Sequence, residues 1–213
     1  MHKRLILNAL VGLFVTTPLT AVHAEERPWY FTVDAGISSA SDPTFASGRL
    51  TTRRGVAYGG AFGRHLGPNW RVEAAIAYRN NPVSRVSSPG FDAEPRDADW
   101  ASLFVTVNAI YDFDGFQLGT AKVRPYVGLG VGRAQEVDTD LRVGGVEREY
   151  SGSGSARQLM LGLRMDYGSP WVADVGVSVA DAGTVSFKAT GSSQSFNARY
   201  RATTAMVRVG YRF

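Results

Sequence analysis

The tightest constraint on this chain is a period of two. Residues 200–213 read YRATTAMVRVGYRF, and from Ala205 every second residue is apolar or aromatic: Ala205, Val207, Val209, Tyr211 and Phe213. Between them stand Thr204, Met206, Arg208, Gly210 and Arg212. Side chains of a β-strand alternate between its faces, so this strand has one apolar face and one largely polar face. It cannot sit in a core that is dry on both sides. It fits a half-buried sheet in water, or a sheet with lipid on one face and a polar lumen on the other.

The same alternation recurs along the chain. Trp29, Phe31, Val33, Ala35 and Ile37 alternate with Tyr30, Thr32, Asp34, Gly36 and Ser38. Residues 54–66 set Val56, Tyr58 and Phe62 against Gly55, Ala57, Gly59, Ala61 and Gly63. Trp70, Val72, Ala74, Ile76 and Tyr78 alternate with Arg71, Glu73 and Arg79 among small residues, and charges at successive inner positions exclude a dry core there. Residues 99–113 place Leu103, Val105, Val107, Ala109, Tyr111 and Phe113 opposite Ser102, Thr106, Asn108 and Asp112. A fifth strand from Val123 carries Pro125, Val127, Leu129 and Val131 against Tyr126, Gly128, Gly130 and Gly132. A sixth sets Leu159, Leu161, Leu163, Met165 and Tyr167 against Gln158, Gly162, Arg164 and Asp166, and a seventh sets Trp171, Ala173, Val175, Val177 and Val179 against Asp174, Gly176 and Ser178.

With the closing stretch, these make eight strands whose connections alternate in length. Residues 40–53, 80–97, 135–155 and 180–195 read as long polar loops, while the intervening turns, such as Leu66-Gly67-Pro68-Asn69 and Gly168-Ser169-Pro170, are short. That asymmetry predicts an all-β fold, an eight-stranded antiparallel up-and-down transmembrane barrel with long loops on one side and tight turns on the other. Aromatic residues agree: Trp29, Phe62, Trp70, Tyr111, Phe113, Tyr167, Trp171, Tyr211 and Phe213 all fall at the short-turn ends, as one interfacial girdle. A weaker outer girdle is expected from Tyr58, Tyr78 and Tyr200. The competing reading, a soluble barrel with its apolar faces inward, leaves the glycine-rich stripes and the clustered aromatics without a purpose.

At 213 residues the chain suffices for one closed barrel, and no run of 18 apolar residues is present for a membrane-crossing helix. Residues 1–24 instead predict a cleaved export leader, with basic Lys3 and Arg4, an apolar stretch from Leu5 to Val15, and Val22-His23-Ala24 before the cut. The barrel then occupies residues 25–213. The formal charge of +4 falls to about +2 once Lys3 and Arg4 are removed, so no nucleic-acid partner is indicated. Absence of cysteine excludes disulfides and thiolate metal sites.

The segments RPYVGLGVGRA at 124–134 and VGYRF at 209–213 resemble those of the small eight-stranded outer-membrane barrels, a family that includes the OmpA transmembrane domain, the OmpX and Ail surface proteins and the opacity proteins. The resemblance implies a monomer in the bacterial outer membrane. It also implies that Val209, Tyr211 and Phe213 form the signal read by the barrel-assembly machinery. With no further domain after Phe213, the cell-wall anchoring of full-length OmpA is not expected. Lipid and lipopolysaccharide are the expected surroundings, with Arg49, Arg53, Arg54, Arg133, Arg199 and Arg201 as candidates for contacting lipopolysaccharide phosphates and the loops open to a host or surface macromolecule.

Inside, the candidate ion-pairing residues are Asp34, Arg71, Glu73, Arg79, Arg164, Asp166, Asp174, Arg208 and Arg212. An eight-stranded barrel is only wide enough for side chains to fill it, so paired charges form a plug, with a narrow conducting path as the alternative. Gly128-x-Gly130-x-Gly132 recurs with period two inside a strand and precedes no helix, so it is not a phosphate-binding loop. After removal of the leader His65 is the one histidine, beside the Leu66 turn at the expected periplasmic end, and no pairing of His and Ser near the outer leaflet, as in lipid A-modifying barrels, is visible; a structural His65 is expected, with a lipid A-modifying enzyme as the lesser alternative. No enzyme activity, cofactor or metal is expected, and the expected role is adhesion, surface interaction or envelope integrity.

Overall fold

The computed structural model describes residues 28–45, 48–95, 98–143, 146–189 and 195–213, so the leader assigned to residues 1–24 lies outside the described residues. In chain order the strands are β1 (Trp29–Ala40), β2 (Thr44–Phe45), β3 (Gly48–Thr52), β4 (Gly55–His65), β5 (Trp70–Ser88), β6 (Phe91–Ala93), β7 (Asp99–Asp112), β8 (Phe116–Leu118), β9 (Ala121–Val143), β10 (Val146–Asp166), β11 (Trp171–Ala189) and β12 (Ser195–Arg212). Eight of them, β4-β1-β12-β11-β10-β9-β7-β5, form an antiparallel ring closed by the pairing of β5 with β7. Closure leaves no open edge in the ring, so the backbone groups of these strands pair internally, as a wall in contact with lipid requires. The termini meet in the wall: the Phe213 N–H donates to the Trp29 carbonyl at 2.9 Å, and Trp29 N–H to the Phe213 carbonyl at 3.3 Å.

The faces fall as the alternation predicts. Val33, Ile37, Val107, Leu129, Val131, Leu161 and Val207 lie outward and exposed, whereas Tyr30, Arg71, Glu73, Asn108 and Arg208 lie inward and buried. A continuous apolar belt around the outside does not suit a protein surrounded by water, and the soluble-barrel reading fails on it.

The four long connections differ from expectation. Residues 135–155 are mostly strand, because β9 runs 23 residues and β10 runs 21. A tilted strand needs only about 9–11 residues to cross a membrane, so roughly half of this hairpin stands beyond the bilayer. Residues 80–97 likewise contain the end of β5 together with β6, residues 40–53 contain β2 and β3, and residues 180–195 contain the end of β11.

Bulges explain both the length and why it was hidden. Register shifts occur on β9 at Gln135, where Glu136 and Ala134 oppose the consecutive residues Leu103 and Phe104 of β7, between Gly152 and Gly154 on β10, and between Asp181 and Gly183 on β11. A bulge adds one residue and so exchanges the two faces of everything beyond it. On β11 the apolar residues keep the same parity throughout, yet Val175 and Val177 face outward while Val185 and Phe187 are buried inside. Below the bulges the barrel is apolar outside and polar inside; above them it is polar outside and apolar inside. Gly183, with φ of 66°, takes the left-handed conformation that this turn of the chain requires.

Candidate functional site

The lumen contains two stacked layers. The lower layer is ionic. Arg71 grips Asp112 with two hydrogen bonds of 2.7 Å from Nε and Nη2, and both side chains are almost fully buried. Glu73, on the same inner face, accepts from Arg208 Nη1 at 3.2 and 3.3 Å, from Tyr30 OH at 3.1 Å and from Asn108 Nδ2 at 3.2 Å. Arg208 also approaches Asp34, with Nε 3.9 Å from Oδ2. At the short-turn mouth Arg212 donates to both oxygens of Asp166 at 2.7 and 2.9 Å and to the Ser169 carbonyl at 2.6 Å.

Two of the expected charges are not hydrogen-bonded to each other. Arg164 and Asp174 are register partners across β10 and β11, yet Arg164 Nη1 and Nη2 and Asp174 Oδ1 have no hydrogen-bond partner among the described residues. The Arg164 guanidinium instead lies 5.3 Å from the centre of the Tyr30 ring. Arg79 donates to Thr204 Oγ1 at 3.0 Å and stacks 5.3 Å from the Phe104 ring. Asp112, the tightest anion of the layer, is an inner-face residue by its parity, but its partner Arg71 is 41 positions away and no local pattern in the sequence joins them.

Glycines shape this layer by making room. A Cβ on Gly162 or Gly176 would come within 2.5 and 2.7 Å of the Tyr126 hydroxyl, and a Cβ on Gly63 would strike the Tyr30 ring. The glycine stripes are slots for the two tyrosines that cross the lumen. Gly130 is equally full, since a Cβ there would meet the Asn108 carboxamide oxygen and approach Gln158 Cγ at 2.8 Å.

The upper layer is apolar and was missed by the sequence reading. Trp100, Phe104, Phe187 and Tyr200 pack with Leu50, Val86, Val137 and Val185 into one buried cluster. Trp100 lies 5.1 Å from Phe187 and 5.9 Å from Tyr200, and the Tyr200 hydroxyl meets Ser102 Oγ at 2.7 Å. Tyr200 therefore belongs to the interior, not to an outer girdle; its inward parity on β12 carries it there. The other two outer tyrosines, Tyr58 and Tyr78, are register partners on the outside with ring centres 5.0 Å apart.

The short-turn rim carries the aromatic band. Trp29 stacks on Phe62 at 5.2 Å, Trp70 meets Tyr111 at 5.0 Å, Tyr111 meets Phe113 at 5.1 Å, and Trp171 meets Tyr211 at 5.0 Å. Phe213 packs 6.3 Å from Phe62, and Tyr167 is exposed at the same end. His65 is tucked inside this rim, its ring 5.4 Å from Tyr30, with Nε2 unpaired among the described residues. Among the described residues no group of His, Cys, Asp and Glu is placed to hold a metal ion.

Above the apolar belt the outer surface is charged. Asp99, Asp140 and Glu149 lie in register across β7, β9 and β10, with Asp138 beside them on β9. Partial burial, reinforced by Glu136, Asp99, Asp140 and Glu149, pushes the Asp138 carboxyl up to about 7. Asp42 shows the opposite: although partial burial acts to raise it, the Thr52 N–H and the Arg49 guanidinium hold it below the usual carboxylate range.

This barrel, with lipid-facing sides and a filled lumen, matches the outer membrane protein β-barrel domain over residues 7–213. The chain belongs to that family. Its place is the bacterial outer membrane. No curated protein matches the sequence. The structure is similar to Neisserial surface protein A, with a TM-score of 0.57 at 17% identity over 87% of this chain and 97% of the other. It is also similar to AlkL in lipid bilayers, with a TM-score of 0.52 at 15% identity over 93% and 96%. Against OprG of Pseudomonas aeruginosa the TM-score is 0.49 at 19% identity over 87% and 96%. At such identities the likeness is one of fold.

Proposed function

We propose that this outer-membrane barrel works through its extracellular sheet and not through its lumen, as a surface-interaction or envelope-integrity protein. The observation that carries this reading is the double closure of the interior. An ion or solute crossing the barrel would first have to part Arg71 from Asp112 and Glu73 from Arg208, then pass the Trp100, Phe104 and Tyr200 cluster. Separating a buried ion pair costs several kcal/mol, about 3–5 when one partner is removed altogether. The apolar layer above it offers a hydrated ion nothing in exchange.

The extensions, in contrast, are built as a folded structure. Four strands, β9 to β12, stay paired well beyond the belt, and their interior is filled by the aromatic cluster. A rigid sheet of this kind presents a fixed surface to a macromolecule at less entropic cost than a mobile loop. A catalytic role finds no support in the placement of His65, which lies against Tyr30 with Arg164, Arg71 and Arg212 near it and has no serine partner among the described residues.

The test shortens one extension and perturbs the lumen separately. Replacing residues 136–151 by a tight turn is expected to leave barrel assembly intact and to abolish attachment of whole cells to host-cell matrix, or their resistance to envelope stress. Arg208→Gln in the lumen is expected to leave both unchanged, with no current steps in planar bilayers for the unaltered protein. Steady conductance that responds to Arg208→Gln, with attachment and stress resistance insensitive to the shortened hairpin, would establish the narrow channel instead.

A further inference from the structure

Charge on the outer wall is sorted by strand. On β7 the outward series Val107, Val105, Leu103 leads, past Ala101, to Asp99. On β9 the series Val127, Leu129, Val131 leads, past Arg133 and the bulge, to Glu136, Asp138 and Asp140. Asp99 is the register partner of Asp140, and Asp140 that of Glu149 on β10. Like charges side by side across strands weaken the sheet that carries them. The crowding is felt most at Asp138, where partial burial and the acids Glu136, Asp99, Asp140 and Glu149 all act to keep the proton bound. Among the described residues no salt bridge reaches Asp99, Glu136, Asp138 or Glu149, and Asp99 Oδ1 has no hydrogen-bond partner.

The neighbouring sector carries the opposite sign. On β10 the outward series Leu163, Leu161, Leu159 ends at Arg157; on β11 Val175, Val177, Val179 ends at Asp181; on β12 Val209, Val207, Ala205 ends, after Thr203, at Arg201, with Arg199 two residues farther. Arg157 and Arg201 are both register partners of Asp181. Asp181 binds Arg199 Nη2 at 2.6 Å and has Arg157 Nη2 at 3.8 Å, yet those two arginine side chains remain 60% and 71% exposed. Three arginines against one carboxylate leave this flank basic. Arg133, opposite Ser155, stands between the two flanks.

We propose that the acidic flank on β7 and β9 receives the basic flank on β10 to β12 of a second copy of this chain, so that barrels associate side by side in the outer membrane. The membrane itself selects this partner. Both flanks begin where the apolar belt ends, and every copy inserted with the same orientation holds them at the same height. Rotation about the barrel axis is then enough to bring opposite charges together. Because the flanks occupy different sectors of the wall, each copy gives one and takes the other, a heterologous contact that extends to further copies. Single exposed ion pairs are weak, so the contact rests on several acting together and is sensitive to salt. Each barrel remains a closed unit, and the contact does not depend on what the extracellular sheet binds.

Thr120→Cys, exposed in the turn between β8 and β9 at the opposite mouth, supplies a labelling site remote from both flanks. Barrels carrying donor or acceptor dye are mixed in phosphatidylcholine vesicles without lipopolysaccharide or divalent cations. Energy transfer is read against that of random placement at the same density. The unaltered barrel is expected to exceed the random level at about 20 mM salt, and that excess to fall about fivefold at about 300 mM. Arg157→Glu/Arg201→Glu alone, and Glu136→Lys/Asp138→Lys/Glu149→Lys alone, are each expected to fall to the random level. Mixing the two variants is expected to restore transfer, since the intact acidic flank of one then meets the intact basic flank of the other. If a variant does not insert, as judged by gel mobility, Gln at the same positions takes its place with the same expectations. Random-level transfer by the unaltered barrel, transfer that ignores salt, transfer that survives in either variant alone, or a mixture that stays at the random level overturns the contact. Transfer that appears only after calcium or lipid A is added overturns it too, because the flanks would then bind those and not each other.

Discussion

Arg71 and Asp112 show what a single buried contact does in a lumen this narrow. With Asp112 removed, Arg71 keeps its charge and loses both of its 2.7 Å bonds. Asp112→Ala is therefore expected to cost about 3–5 kcal/mol, read as a lower urea midpoint for unfolding from lipid vesicles, whereas Arg71→Met/Asp112→Leu should regain most of that loss. A midpoint unchanged by Asp112→Ala would mean that the ionic layer contributes nothing to stability. Which charges point inward was legible in the sequence, because parity alone assigns Arg71, Glu73, Arg164, Asp174 and Arg208 to the inner face. Which charge meets which was not. Glu73 and Arg208 are 135 residues apart and meet across the lumen, whereas Arg164 and Asp174, neighbours in register, are not hydrogen-bonded to each other. The glycine slots were equally hidden: Gly130→Ser pushes into Asn108 and Gln158, so it is expected to cost stability even though serine is small and the lumen polar.

Along each element the informative feature is the place where lipid gives way to water. Below it, Leu129 faces the membrane and is 65% exposed, and Leu129→Arg is expected to cost roughly 2–4 kcal/mol in the same urea titration. Above it, Trp100 fills the interior of the extension, and Trp100→Ala is expected to cost about 3–5 kcal/mol locally. The measurement is faster proteolysis of β9 and β10 beyond the belt while the barrel itself keeps its gel mobility. Residues 135–155 resembled a loop because mixed charges and a change of phase conceal a strand that inverts its faces; a bulge leaves no residue signature beyond small residues such as Gly152 and Gly183. The acids on this extension also make it responsive to pH. Asp138 binds its proton more tightly in the folded protein, with its carboxyl pushed up to about 7, than it would in an unfolded chain. Its favourable contribution is complete below about pH 4 and is lost as pH rises through 7, on the order of 1 kcal/mol after allowance for its partial exposure. Hydrogen exchange in β9, corrected for intrinsic rate, should accordingly be faster at about pH 8 than at about pH 5, and Asp138→Asn should remove the difference.

For the whole molecule, the eight alternating stretches and the unequal connections were enough to give a closed barrel with its apolar side outward, because that pattern admits few other solutions. The architecture beyond the apolar belt was less legible, since its core draws on residues from β3, β5, β7, β9, β10, β11 and β12 that no local pattern groups together. Phe213 closes the ring against Trp29, and its deletion is expected to lower the yield of assembled barrel while adding little to the unfolding rate of barrels already inserted. The central claim is that one strand turns its apolar side chains to lipid in the membrane and to a protein core above it. Because the chain has no cysteine, single cysteines can be placed along β11 and spin-labelled in lipid vesicles. Positions 175, 177 and 179 are expected to collide with oxygen dissolved in the bilayer, positions 184, 186 and 188 with a water-soluble nickel complex, and positions 185 and 187 with neither. Lipid contact that continued at 185 and 187, or a water-soluble reagent that reached 175 and 177, would contradict the inversion and with it the placement of this barrel in the membrane.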